Sequence, residues 1–225
     1  MGTFTAKYVI DRASYLLKDD DNVRWERDEM LHYVNEAERA VVSFQPSAYK
    51  VKAVVKLSEG TAQSIPADGV SLFTVIRNVD EEGFGGSSVR LATRSIFDSM
   101  MDWHAAKEKT IVENYIYDDR TSTEFFVYPP NDGYGAVELM YAKLPEDIGE
   151  DDTLVLDDKY FSPILNYVLY KCALLDTDFN GTGTLAQFYY QQFVSELNGL
   201  HSTESKAGPL PAHQAGPVGA NGGTE

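Results

Sequence analysis

The residues best placed to do chemistry lie at 176–187, Asp-Thr-Asp-Phe-Asn-Gly-Thr-Gly-Thr-Leu-Ala-Gln. Asp176, Asp178 and Asn180, followed by Gly181 at the sharp turn, match the first half of a calcium loop, in which hard oxygen ligands at alternate residues wrap the ion. The second half departs from it. Position eight is Gly183 where an apolar residue belongs, and position twelve is Gln187, which has no carboxylate to offer in bidentate fashion. The plainer reading is a turn between two helices, with Gly181 and Gly183 supplying positive φ and Thr184 capping the next helix. No metal site is expected.

Other reactive groups are scattered. Asp19, Asp20 and Asp21 are consecutive and lack the alternation of a cation loop, so they read as solvated acids. Gly83, Gly85 and Gly86 have no lysine after them and no strand-to-helix setting, which makes a hairpin tip a better account than a phosphate cradle. The four histidines, at 32, 104, 201 and 213, are separated from one another and from the lone Cys172. Cys172 sits in an apolar helical pattern and reads as a buried, inert thiol. HExxH, GxSxG and CxxC are all absent, so the expectation is a chain with no catalytic residues and no cofactor. A hydrolytic site assembled in three dimensions would need His104 beside an acid and a nucleophile.

The 225 residues carry 35 acids against 19 bases, a net charge of −16. That balance opposes tight binding to nucleic-acid backbones, which requires clustered Lys and Arg to release counterions. It is compatible with lining a path for DNA, since an acidic wall keeps the duplex from sticking. No run of about 18 apolar residues is present, and the first residues lack the order of a signal peptide, so a reducing cytosol without membrane contact is expected.

Helical and strand periods divide the chain. Phe4, Ala6, Val9, Ile10, Ala13, Leu16 and Leu17 form one helical stripe over residues 4–19. Met30, Leu31, Val34, Ala37, Val41 and Val42 form another over about 27–45, which Pro46 stops. Glu29, His32, Glu36 and Arg39 mark its solvated face, and Val23 and Trp25 precede its first turn, with Trp25 as the anchor. From 50 to 66 the period is two, with a turn at Ser58, Glu59 and Gly60, which predicts a hairpin. A strand or short helical turn leading into one is expected over 70–79, a mobile loop at 81–88, and a strand again through Val89, Leu91 and Ala92. Ser95 with Asp98 resembles a capping box opening a brief helix through Trp103 and His104. Strands rich in aromatics follow at 114–118, 124–128 and 136–142, the second ending at Pro-Pro-Asn-Asp-Gly. Two further helical stripes, Phe161 to Leu175 and Leu185 to Leu197, predict a second antiparallel hairpin.

The predicted fold class is therefore α+β. Antiparallel helical hairpins from both chain ends (1–48 and 151–201) form one helical layer, and a β-rich unit with one short helix (49–150) is inserted between them. Residues 202–225 are rich in Gly and Pro and too poor in apolar residues to fold alone. Ordering about twenty such residues costs roughly 1 to 2 kcal/mol each, which only a long contact with another chain offsets. They are expected to be an interaction tail.

Several segments, taken in order, resemble the head-to-tail connector family, the adaptor proteins beneath the portal of short-tailed phages. The resemblance is carried by Asp-Asn-Val-Arg-Trp at 21–25, Asn-Glu-Ala-Glu-Arg at 35–39 with Pro46, and Ser-Ile-Pro at 64–66. It continues through Ile-Arg-Asn at 76–78, Val-Arg-Leu with Arg94, Trp103 with His104, and Phe-Phe-Val-Tyr-Pro-Pro at 125–130. Leu-Asp-Asp-Lys-Tyr at 156–160, Tyr-Val-Leu-Tyr at 167–170, Asp176 and the helix at 188–193 complete it. Glu26 departs from the Ser or Thr usual at that helix start, so Asp28 or the helix dipole must compensate.

The resemblance implies a non-enzymatic virion component, assembled in the host cytoplasm. Such connectors form rings, typically of twelve copies, that bind the portal above and tail tube, nozzle or fibre proteins below, while DNA passes through without sequence-specific contact. A ring uses two unlike surfaces of each subunit. The helical hairpins are expected to build the wall between subunits, the aromatic β unit to reach neighbours or the next tail component, and part of the acid, Asp19–Asp21 included, to line the lumen. The interface candidates are Arg24, Trp25, Arg39, Trp103, Phe126, Tyr128, Pro209, Pro211 and Pro217. Another tail-tube or gatekeeper component, or a calcium-binding interaction protein built on 176–187, are the alternative readings.

Overall fold

A computed structural model describes residues 2–80, 84–100, 102–118, 120–175 and 182–207. Residues 176–181, which carry Asp176, Asp178 and Asn180 of the calcium-like loop, and Pro209, Pro211 and Pro217 lie outside the described residues. The chain is mixed α+β, with helices α1 (Ala6–Leu17), α2 (Arg27–Phe44), α3 (Arg94–Asp98), α4 (Phe161–Leu175) and α5 (Thr182–Ala207). Its strands are β1 (Lys50–Lys56), β2 (Gly60–Ser64), β3 (Gly69–Val79), β4 (Gly85–Ser88), β5 (Arg90–Leu91), β6 (Asn114–Tyr117), β7 (Glu124–Asn131) and β8 (Ala136–Lys143).

The helical part has its own core. Val9, Ile10 and Ala13 of α1, Met30, Val34, Ala37, Val41 and Val42 of α2, Ile164, Val168 and Cys172 of α4, and Phe193 and Leu197 of α5 are buried together. These are the positions the three- and four-residue spacing selected. The connector from the β unit back to α4 is stitched to the other helices. Ala6 and Lys7 backbone N–H groups donate to the carbonyls of Asp152 (3.0 Å) and Glu150 (2.8 Å), and the Thr3 hydroxyl donates to Asp158 (2.7 Å). Asn35 of α2 exchanges two hydrogen bonds with the Ile148 backbone, at 2.9 and 3.1 Å. The buried Glu38 accepts the Leu156 N–H at 2.9 Å.

The β unit contains two four-stranded sheets, ordered β1-β8-β3-β4 and β2-β7-β6-β5. The pairs are antiparallel except β5 with β6. Leu72, Val75, Val137, Leu139 and Tyr141 from one sheet meet Tyr115, Phe125 and Val127 from the other in a second core.

Several local expectations are corrected. Residues 50–66 are not a hairpin, because β1 pairs with β8 and β2 with β7, so the chain changes sheet at the Ser-Glu-Gly turn. Gln63 holds that corner, accepting from Ser58 N–H at 2.7 Å and donating to its carbonyl at 2.8 Å. Residues 85–88, read as loop, form β4 against β3. The short helix starts after Thr93, whose side chain makes no cap bond, rather than at Ser95, and ends at Asp98, with Trp103–Ala105 a separate 3-10 turn. Strand β7 runs through Pro129 and Pro130 to Asn131, where a boundary was expected. Asn131 explains the continuation: its amide donates to the carbonyls of Lys109 and Thr110 and its oxygen accepts from Gly133 and Gly135 N–H. α5 begins at Thr182, two residues before the expected cap Thr184, and runs six residues into the stretch read as tail. Val23 does not fold over α2, being 83% exposed.

Candidate assembly surfaces

The lead-in to α2 is organised by Asp19. Its carboxylate accepts the N–H groups of Val23 (3.0 Å), Arg24 (3.0 Å) and Trp25 (2.9 Å), so this acid is committed to shaping a turn. Lys18 and Asn22 take up the left-handed backbone on either side. Trp25 is half-buried against the helical core and Arg24 lies over its ring at 5.7 Å. Glu26 makes no side-chain cap bond, while Asp28 and Glu29 occupy the first turn and face the positive end of the helix dipole. Arg39 pairs with Asp147, and Glu36 accepts from the Tyr167 hydroxyl (2.9 Å) and pairs with Lys171 (2.8 Å). Two side chains of the face read as solvated thus tie α2 to neighbouring elements.

The other candidates meet on the second sheet. Trp103 is 6% exposed and packs with Phe97 (ring centroids 5.5 Å) and Phe126 (6.1 Å), while Phe97 stacks near Tyr128 (4.9 Å). Arg94 lies over Phe126 at 5.7 Å. Leu91, Ile96 and Met100 stand exposed on the same segment. The structure therefore brings Trp103, Phe126 and Tyr128 into one cluster and holds Arg24, Trp25 and Arg39 apart from it on the helical layer.

Sequence reasoning missed the outer surface of α4 and α5. Leu174, Leu175, Leu185, Phe188 and Tyr190 are exposed, although Leu175, Leu185 and Phe188 belong to stripes expected to be buried. Coverage fades toward the α4–α5 connection because α5 packs chiefly on α4 there, whereas Phe193 and Leu197 further along are buried. Through Phe161–Leu175 and residues 182–203 the only charged side chains are Lys171 and Glu196. Lys171 is tied to Glu36, and Glu196 accepts from Ser162 (2.9 Å) and Asn166 (3.1 Å). The absence of charge was legible in the sequence; its exposure was not.

Groups suited to covalent chemistry are poorly placed. The buried Cys172 thiol is pushed up to about 12 by desolvation, which leaves almost no thiolate at neutral pH. His104 Nδ1 lies 2.8 Å from the Thr61 hydroxyl and its ring stacks on Trp103, and among the described residues no carboxylate bonds to it. A cleft of about 460 Å³ between the ends of β3, β4 and β8 has Asp80 and Tyr134 as its only titratable lining residues among those described. Among the described residues no helix is long and apolar enough to cross a membrane.

The family model of the SU10 adaptor protein matches residues 4–215. The chain belongs to the SU10 adaptor family. It is thus a structural adaptor protein of the head-to-tail type found in short-tailed phages, a virion component of a non-enzymatic family whose members interact with portal and tail proteins. The match extends over helical layer and β unit alike. No curated protein matches the adaptor in sequence.

Proposed function

We propose that this adaptor assembles into a ring of twelve copies that joins the portal to the tail and surrounds the DNA exit channel. The observation that carries the reading is the charge-poor outer surface of α4 and α5. Interface cores are depleted of charge and enriched in aromatic residues relative to the rest of a protein surface. Here residues 182–203 of α5, about 33 Å by helical rise, carry that composition, with Glu196 their single charged side chain in a chain that is 24% charged. The helical layer forms the wall between subunits. The β unit reaches a neighbouring subunit or the next tail component through the exposed Leu91, Ile96 and Met100, which the packed Trp103, Phe126 and Tyr128 cluster supports from beneath. Arg24, Trp25 and Arg39 support the start and middle of α2 within the wall, and residues 208–225, with Pro209, Pro211 and Pro217, extend as an arm toward a partner. Residues 144–225 hold twelve acids against three bases, and part of this excess borders the channel, where repulsion lets the duplex slide.

The mass of the purified protein, alone and mixed with portal protein, tests this. The expected result is a complex of twelve adaptor copies on the portal. A 25.1 kDa species that persists in both samples contradicts it, and a ring that forms without binding portal points instead to another tail component.

A further inference from the structure

The acidic chain carries one concentrated basic strip. β1 reads Lys-Val-Lys-Ala-Val-Val-Lys, and no other window of seven residues has three bases and no acid. Strand alternation places Lys50, Lys52, Val54 and Lys56 on one exposed face, while Val51, Ala53 and Val55 pack toward the β core. β1 is also the outer strand of its sheet, bonded to β8 on one side alone. None of the three lysines forms an ion pair among the described residues, and Lys50 lies over the Phe73 ring at 5.3 Å. Between them Val54 is 59% exposed.

The opposite charge gathers at the start of α2. Residues 18–29 with 150–152 hold nine acids against three bases, joined where Arg27 bonds both Glu150 and Asp11. Asp20, Asp21 and Asp28 are exposed and have no ion-pair partner among the described residues. The two charged regions lie at opposite ends of one element. Arg27 begins α2 at the acidic end, and Phe44 ends it about 27 Å away by helical rise. The chain then turns through Pro46–Ala48 into β1, which enters the separate core of the β unit.

We propose that the basic face of β1 docks on the acidic start of α2 in a second copy of this chain. This deepens the ring reading above and rests on it, naming the contact by which the β unit reaches its neighbour. Identical subunits of charge −16 repel one another, and the orientation that sets this basic face against acids is favoured over those that set acid against acid. The contact joins two unlike surfaces, as closure into a ring demands. Val54 and the Phe73 ring provide apolar area between the charges.

The experiment uses the full chain and two variants, Lys52→Glu with Lys56→Glu, and Asp20→Lys with Asp21→Lys. All four positions are exposed, and matching melting curves establish that the variants fold. Mass distributions are recorded for each protein alone and for an equal mixture of the two variants. Each variant alone is expected to lose ring by about tenfold or more, and the mixture to recover it, because every contact in an alternating ring is again between opposite charges. Rings that form normally from either variant, or losses that the mixture does not repair, overturn the proposal and leave the ring reading standing. Normal assembly of the lysine variant with weakened retention of a duplex DNA probe assigns the strip to DNA instead and also overturns it. A wild-type protein that never assembles, alone or with portal, removes both readings.

Discussion

Glu38 is a carboxylic acid in an apolar place. It is buried among the helices, one oxygen accepts the Leu156 N–H, and the other has no partner among the described residues. Burial, the largest influence, raises its pKa above the ordinary 4.5 despite the backbone donors at Leu156 and Val155. Because the folded value is raised, its favourable contribution is complete below about pH 4.5 and is lost as pH climbs through the folded value. Glu38→Gln removes this dependence, so its melting temperature is expected to exceed that of wild type by a margin that grows as pH rises from 4.5 to 8. A constant difference across that range contradicts the assignment. Glu38→Ala strands the Leu156 N–H and is expected to cost about 1 to 3 kcal/mol in denaturant unfolding. Nothing in the spacing of α2 marks Glu38 for this role: it lies between Ala37 and Arg39 on a helix rich in acids, and only the connector folded across it makes it buried. Asn131 was similarly hidden, since Asn-Asp-Gly after two prolines reads as a turn until its four hydrogen bonds are seen.

The elements themselves were largely legible. α1, α2 and α4 fall close to their predicted bounds because one apolar stripe per helix determines where each packs. What failed was pairing. β1 and β2 are separated by a turn that local residue types cannot distinguish from a hairpin, and the choice between partners is made by β7 and β8 some seventy residues later. α5 outran its prediction because Gly199 and the Ser202 and Thr203 that follow look like an ending, yet both hydroxyls fold back to the Gly199 carbonyl within the helix, at 2.8 and 3.0 Å. The exposed half of α5 supplies a test. Leu185→Gln with Phe188→Gln exchanges exposed apolar residues for good helix formers, so monomer stability is expected to change by less than about 1 kcal/mol. Assembly is expected to fail, as read by sedimentation. Unchanged sedimentation with these residues polar would remove α5 from the interface.

At the scale of the molecule, the helical layer and the β unit each have a core of their own, which suits the two duties proposed for them, lateral contact and reach. Removing residues 208–225 is expected to leave the melting temperature unchanged and to weaken binding to a tail component by about tenfold, measured by surface capture. Equal binding by the shortened chain would show that the arm does nothing there. The assembly itself could be read from sequence only through resemblance, since composition and periodicity fix the layers of one subunit but not the faces it shows to the next. The most direct measurement is a cryo-EM reconstruction of the head-to-tail junction in intact particles. The account predicts a ring of twelve copies with helices side by side between subunits, the β unit of each against its neighbour, and DNA along the axis. Strands lining the lumen with no lateral helix contacts, or no density for this chain at the junction, would contradict it.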